Sequence, residues 1–427
     1  MSTGTASSGT RSAWTIKTPG ALRGTRRMRI LVHPHELAMG GSQINALELA
    51  GAVRDLGHDV TIFATPGVLE DKVNELRLPY IEAPAARYAA DPGTISKLNG
   101  IVRSLDVDIV HAYEWTAVLN TAFGPCLGFR TRSIMTVLSM EVPGFLPRHL
   151  PLIVGTPGLA AREMQRRCNV HVIEPPIDTD YNRSRGTAAS RRELGINEKD
   201  LVIAIVGRLT TDLGKVNGVL AAIRVVDHLA VRWHGLTLLV AGDGEGATKV
   251  HELAAGVNRR HQRPVVQVLG NIPDPRPVYD AADIVLGMGS SALRGMAYAK
   301  PLIVQGQSGF WVTASPETAG QFLTDGWFGT TGKGDAELEQ ALRNLLDDPD
   351  RRAELGAYGR SLVEERFSLN RAAERLLSLY RGELSKPHRP VATAVSLART
   401  AAATAKFRAV VNWQGRLPAT RTAGNGS

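Results

Sequence analysis

Leu201-Val-Ile-Ala-Ile-Val-Gly-Arg-Leu209 runs through six apolar residues and then stops at a glycine and an arginine. Such a run, rich in β-branched side chains, predicts a strand buried on both faces in the middle of a parallel sheet. Its surroundings repeat the theme. Val216–Ala230 and Lys249–Ala255 have helical spacing, and Leu236–Ala241, Val265–Leu269, Asp283–Leu286 and Leu302–Val304 have the character of strands. Helical spacing returns over Ala336–Asp347 and Arg351–Leu384. The first half of the chain follows the same alternation. Arg29-Ile-Leu-Val-His33 is a strand, Gly40-Gly41-Ser42 opens a helix over Gln43–Leu56, and Gly57 ends it. Strands are expected at Val60–Ala64, Asp108–Ala112, Ser133–Leu138 and Leu152–Val154.

A chain of 427 residues exceeds one ordinary core. The alternation predicts an α/β protein of two doubly wound parallel-sheet domains, Rossmann-like, with a cleft between them. The divisions expected are a basic head over 1–27, a first domain over 28–173, a linker over 174–200 and a second domain over 201–365. Residues 366–384 form a helix that packs back across the domains, and 385–427 form a basic tail. Pro175, Pro176 and a mixture of Asp, Arg, Ser and Gly mark the linker.

Charge is uneven. The net charge is +9, yet residues 1–30 hold six Lys/Arg and residues 385–427 hold seven, with no acid in either stretch. The body between them is therefore mildly acidic, which is not the footprint of a nucleic-acid-binding fold. The tails suit contact with an anionic membrane surface, against the alternative of plain solvated tails. Residues 391–413 are rich in Ala, Val and Arg without a clean charged face, which argues against an interfacial helix. Cys126 and Cys168 supply neither a disulfide framework nor a metal cluster. No apolar run reaches the roughly 18–20 residues of a membrane span. With no apolar leader, the expected setting is cytoplasmic, with the inner membrane face as the place of any peripheral contact.

Candidate chemistry gathers at strand ends. Gly207, Arg208 and Lys215 follow the opening strand, and a guanidinium with an ammonium there suits two phosphate groups. Gly41 allows backbone to approach a ligand, and helix N-terminal amides favour anions. Ser290 and Ser291 stand at the start of a helix that carries Arg294. His111, Tyr113 and Glu114 end a first-domain strand, as do His33, His35 and Glu36. A zinc site from His33, His35 and His111 lacks any zinc-motif spacing. Asp178-Thr-Asp180 has a metal-nucleotide DxD form but lies in the linker, and Asp347-Asp-Pro-Asp350 reads as a helix cap.

In order, these segments resemble the GT-B-fold glycosyltransferases of family 4, a retaining and metal-independent group. The likeness runs from about Met28 to Leu384. It rests on Met39-Gly-Gly-Ser-Gln43, Leu56-Gly-His-Asp-Val60, Asp108-Ile-Val-His-Ala-Tyr-Glu114, Glu174-Pro-Pro-Ile-Asp-Thr179, Val206-Gly-Arg-Leu209 with Lys215, Gly270-Asn271, Val278-Tyr-Asp-Ala-Ala-Asp283, Leu346-Asp-Asp-Pro-Asp350, Gly359-Arg360, Phe367-Ser368 and Tyr380. The resemblance implies transfer of a sugar from a nucleotide-diphosphate sugar to an acceptor hydroxyl, with no cofactor. The acceptor would be a glycan, a lipid-linked molecule or a natural product. Arg208 and Lys215 would stabilise the departing diphosphate, with His111 and Glu114 in the catalytic region. Gly41, Gly207, Gly270, Asn271, Ser290, Ser291, Ala292 and Arg294 would line the donor, and His35 and Tyr113 the acceptor side.

Departures from the pattern matter as much. The family has a glutamate that holds the ribose hydroxyls where this chain has Arg294, and an earlier glutamate falls on Leu286. Histidines of the pattern are replaced at Tyr113 and near Ser139-Met140. A guanidinium has no acceptor for a ribose hydroxyl, so Arg294 is expected to pair with a phosphate or with an acid elsewhere in the chain. Two further readings follow: a non-catalytic protein of the same fold that binds a nucleotide or a partner enzyme, or coupling or epimerisation chemistry on that fold.

Overall fold

The computed structural model describes residues 26–85, 90–128, 131–139 and 141–414, with side chains throughout except at 128 and 410–414. Head residues 1–25, Met140 and tail residues 415–427 lie outside the described residues.

Seven parallel strands form the first sheet: β1 (Arg29–His33), β2 (Asp59–Ala64), β3 (Tyr80–Glu82), β4 (Ile109–Tyr113), β5 (Arg132–Val137), β6 (Leu152–Val154) and β7 (Val170–Val172), in the order β3-β2-β1-β4-β5-β6-β7. The second sheet contains β8 (Leu201–Val206), β9 (Leu236–Ala241), β10 (Val266–Gly270), β11 (Ile284–Gly287), β12 (Leu302–Gln305) and β13 (Trp311–Thr313). Its order is β10-β9-β8-β11-β12-β13, parallel except where β13 runs against β12. Strand order reverses between β1 and β4 and again between β8 and β11. Outside the carboxyl ends of the strands, these are the places where an open α/β sheet leaves a crevice for a ligand.

The sheets are central because their strands are apolar on both faces. Val202, Ile203 and Ala204 of β8 have no exposed surface. Burying a Val or Ile side chain contributes about 1.5–3 kcal/mol relative to leaving it in water. Helix Gly41–Asp55 covers one face of the first sheet through Ala46, Leu47, Leu49, Ala50 and Val53. Helix Leu369–Ser385 comes from the far end of the chain and joins that same layer through Ala373, Leu376, Leu377 and Tyr380.

Three expectations are refined. The helical stretch Arg351–Leu384, with its domain division expected after residue 365, is two helices, Pro349–Arg366 and Leu369–Ser385. Backbone at Phe367–Ser368 leaves the helix to bridge Ile177, whose N–H donates to the Phe367 carbonyl at 2.7 Å. Within the expected linker, Thr187–Glu193 is helical, anchored where Asp280 accepts from Ser184, Thr187 and Ser190. The basic tail is a helix over Pro390–Gln414, and part of it is packed on the first domain. Leu397, Thr400 and Thr404 are buried there, and the Ser396 hydroxyl accepts from the Arg148 and His149 N–H groups at 2.9 and 3.3 Å.

Candidate active site

At the carboxyl end of β8 the chain leaves the sheet through Gly207 and Arg208, both exposed. The loop then turns through two left-handed residues, Leu213 at φ +53° and Gly214 at φ +71°, into helix Lys215–Leu229. Thr211 donates its N–H and its hydroxyl to Glu245 at 2.8 and 2.6 Å, which fixes the loop against the β9 turn. Gln305 holds the far side by donating to the Gly214 and Lys215 carbonyls. The Lys215 ammonium pairs with Asp212. Partial burial works against the Asp212 carboxylate, but hydrogen bonds from Lys215 and Thr210 hold its carboxyl below the usual range. Gly242, at φ +149°, lets the two turns meet: a Cβ there would lie 1.8 Å from the Gly207 carbonyl oxygen. At the end of β10, Gly270 takes φ +70° beside exposed Asn271, and its carbonyl accepts from Gly242.

Across the crevice, β11 leads into helix Gly289–Ala297. Its N-cap, Met288, has no side-chain acceptor to offer. Gly289 donates to the Trp327 carbonyl at 2.7 Å. Ser290 and Ser291 stand in the first turn, whose N–H groups an α-helix leaves without intrahelical partners. The Ser291 hydroxyl turns inward, donating to the Val206 carbonyl at 2.6 Å and accepting from Tyr279 at 3.2 Å. That bond ties the helix start to the last residue of β8. Ala292 is a corrected expectation. It is fully buried, and its N–H reaches the Met288 carbonyl at 3.5 Å rather than facing the crevice.

Arg294 faces the other domain. Its guanidinium lies 3.6 Å from the carboxylate of Glu48 on helix Gly41–Asp55, with both side chains largely buried. Burial pushes the Glu48 carboxyl up. Arg294 and Lys72 oppose that push, while Asp178 and Glu75 add to it. A second contact lies in the same region, where Tyr181 sits between Arg276, 3.9 Å from its ring centre, and Lys72, 5.2 Å from it. Neither contact was read from the sequence. Glu48 did carry a signal, as the single acid in the apolar stretch Asn45–Val53 of an inward-facing helix.

On the first domain the structure overturns two placements. His111 does not face the cleft. It is 1% exposed, with one ring nitrogen 2.7 Å from the Tyr380 hydroxyl and the other 2.7 Å from the Thr136 hydroxyl. Burial lowers its pKa from 6.5 to about 3. Tyr113, expected on the acceptor side, is likewise 1% exposed and packs against the His111 ring at 4.4 Å between centroids. Both share the strand face that helix Leu369–Ser385 covers. His33 is also enclosed, bonded to the Phe63 carbonyl at 2.7 Å, with burial lowering its pKa to about 4. His33 and His111 thus spend ring nitrogens inside the protein. Among the described residues no group of three or more His, Cys, Asp or Glu stands where it could hold a metal ion.

What the first domain does present is His35, Glu114 and Gly41. His35 and Glu114 follow the neighbouring strands β1 and β4, and both take left-handed backbone, at φ +65° and +62°. Non-glycine residues there cost on the order of 1–3 kcal/mol each and cluster at functional sites. Glu114 accepts from the Ser42 hydroxyl at 2.8 Å, the Leu138 N–H at 3.0 Å and the Ser139 hydroxyl at 2.8 Å. It therefore organises the wall of the crevice rather than offering a free carboxylate. His35 is partly exposed, and burial lowers its pKa against the pull of Glu36 and Glu114. Gly41 is exposed, and a Cβ on it would meet open space.

The profile of the Glycosyltransferase Family 4 domain matches residues 39–181, and that of Glycosyl transferases group 1 matches 187–362. One falls on each sheet. The chain belongs to the group 1 glycosyltransferases. A D-inositol 3-phosphate glycosyltransferase of Thermobispora bispora is 25% identical, over 82% of this chain and 92% of its own. One from Corynebacterium kroppenstedtii is 30% identical over 52% of this chain, and that match spans half of the relative's length. Solved structures share the fold. A glycosyltransferase from Rickettsia africae superposes with a TM-score of 0.66 at 19% identity, over 85% of this chain and all of the other. Anabaena HepE in complex with UDP gives 0.66 at 15% identity, over 83% and 100%. This group 1 enzyme therefore has its two glycosyltransferase domains facing each other across the switch points just described.

Proposed function

We propose that this glycosyltransferase moves a sugar from a nucleotide-diphosphate donor to an acceptor hydroxyl, with retention and without a metal. The observation that carries the reading is the pairing at the β8/β11 switch point. Arg208 and Lys215 leave one strand, and the first turn of helix Gly289–Ala297 is fastened to that strand through Ser291 and Val206. Two cations and the first-turn amides of that helix can then share a diphosphate. In doing so Lys215 gives up Asp212 for the phosphate. As the sugar–oxygen bond breaks, negative charge grows on the departing diphosphate, and fixed positive groups stabilise it most at that point. With both His111 nitrogens occupied, the acceptor's proton goes to the departing phosphate oxygen on the same face. UDP in the HepE structure, the inositol 3-phosphate relatives, and a GDP-mannose-dependent phosphatidylinositol monomannoside mannosyltransferase of Corynebacterium glutamicum, 29% identical over 46% of this chain and 51% of its own, support UDP- or GDP-sugars as donors and a phosphorylated or lipid-linked polyol as acceptor.

The test uses purified protein with UDP-, GDP- and dTDP-sugars, read by thermal stabilisation and by sugar transfer in the presence of EDTA. A cognate nucleotide sugar is expected to raise the melting temperature, and EDTA to leave transfer intact. Lys215→Ala is expected to lower kcat roughly 10²-fold or more while the fold persists, the scale seen when one charge-stabilising group is removed. Full activity of that variant, or no stabilisation by any nucleotide, sinks the donor site.

A further inference from the structure

The helix Pro390–Gln414 is built inside out. The face it turns to the protein carries Ser396, Thr400 and Thr404, all buried, beside the apolar Leu397, Ala403 and Phe407. Ser396 is fixed by two backbone N–H groups of the 142–150 segment, and Phe407 packs against Phe145 at 5.1 Å between ring centroids. On the opposite side, helical spacing aligns Val391, Val395, Ala398, Ala402, Ala405 and Ala409, all exposed. Val391 and Val395 are 76% and 65% exposed. Arg399 and Lys406 flank that stripe on one side and Arg408 on the other. The chain has no Asp or Glu after Glu383. The Arg148 guanidinium has its pKa lowered by burial and by Arg399 and Arg166, while Glu163, which pairs with Arg166, pulls the other way.

From the sequence, this segment lacks a clean face because the polar and apolar positions look scrambled. The docking contacts resolve them. Threonines face inward, the valines and most alanines face outward, and cations stand at the edges. We propose that the outer face of helix Pro390–Gln414 lies on an anionic lipid bilayer, its Ala/Val stripe in the headgroup boundary and its cations on lipid phosphates. Charge selects this occupant, since the charged residues on the helix, Arg399, Lys406 and Arg408, are all cations and fit a negatively charged sheet. The proposal does not depend on the sugar donor.

The experiment is flotation of the full chain with vesicles of phosphatidylcholine alone, and with vesicles of equal parts phosphatidylcholine and phosphatidylglycerol. The bound fraction should be at least about tenfold higher on the anionic vesicles and should fall in high salt, as screening requires. Val395→Asp and the pair Arg399→Glu with Lys406→Glu should each abolish binding. These positions are exposed, so the melting temperature should hold, which separates lost binding from lost fold. Equal binding to both vesicles, or anionic binding that survives either variant, overturns the proposal. So does a dimer in light scattering that Val395→Asp converts to monomer without any vesicle binding, because the stripe would then belong to a second copy.

Discussion

His111 shows how a residue with the credentials of a catalyst becomes part of a core. Its ring is closed off between Thr136 and Tyr380, so His111→Phe keeps an aromatic ring but removes the Tyr380 hydroxyl's partner and one of those of Thr136. Each buried hydroxyl left without a partner costs about 1–3 kcal/mol. His111→Phe should therefore move the urea midpoint down clearly, and a midpoint that stays put contradicts the hydrogen-bonded assignment. Acid sensitivity follows from the same burial. His111, His33 and His149 have pKa values lowered to about 3, 4 and 4 from 6.5. Below pH 6.5 the unfolded chain takes up protons that the folded chain refuses, so stability rises with pH in this window. Melting temperature should be level above pH 7 and should decline as pH falls from about 6.5 toward 4. His111→Gln should make that decline shallower by its share, and an unchanged slope would exclude His111 as a source. The motif Asp-Ile-Val-His-Ala-Tyr-Glu was legible as a strand. The fate of its histidine was not, because Tyr380 reaches it from the far end of the chain.

Among the elements, the strands were the most legible. Leu152–Val154, Leu201–Val206 and Leu236–Ala241 begin and end in the structure where the sequence places them. Continuous apolar runs bounded by polar or glycine residues leave little choice of register. Helix ends fared worse where tertiary contacts decide them. The break at Phe367–Ser368, expected only as a domain division near residue 365, is fixed by the bridge to Ile177, which no local pattern reveals. Loop geometry at the candidate site lies between these cases. Gly242-Asp-Gly-Glu-Gly246, glycine-rich after an apolar run, reads as a turn, but its tight fit to the β8 turn is not local information. Gly242→Ala should cost about 2–4 kcal/mol, from left-handed strain plus a collision that forces the turns apart. It should also weaken nucleotide binding, because the displaced partner is the Gly207–Arg208 backbone. Gly270→Ala is the matched comparison: its Cβ meets open space, so only the strain at φ +70° remains, about 1–2 kcal/mol. Chemical denaturation of both variants checks the order, and equal losses would mean that the close approach at Gly242 does not matter.

At the scale of the whole molecule, the two sheets are connected by the returning C-terminal helix and by contacts across the crevice. The Glu48–Arg294 pair is the one that touches the candidate donor site. Arg294 was legible as an oddity, a cation where the resemblance calls for a carboxylate. Its carboxylate partner lies on the first helix of the opposite domain, beyond the reach of any local reading. The pair explains why the arginine is tolerated: it neutralises a carboxyl that burial already pushes toward protonation. Arg294→Glu sets two carboxylates against each other in a largely buried place. It should lower the melting temperature and loosen the approach of the domains. Restoring the ribose-type acceptor would then bring no gain in nucleotide binding while Glu48 remains. Glu48→Arg combined with Arg294→Glu should recover most of the lost stability, with a coupling energy of about 0.5–3 kcal/mol in the double-mutant cycle. The exchanged pair also returns a carboxylate to the donor helix, so nucleotide affinity should rise above that of the single Arg294→Glu variant. Isothermal titration with the cognate nucleotide and thermal unfolding of all four proteins measure both effects. Additive losses, with no coupling, would show that the two side chains do not hold the domains together.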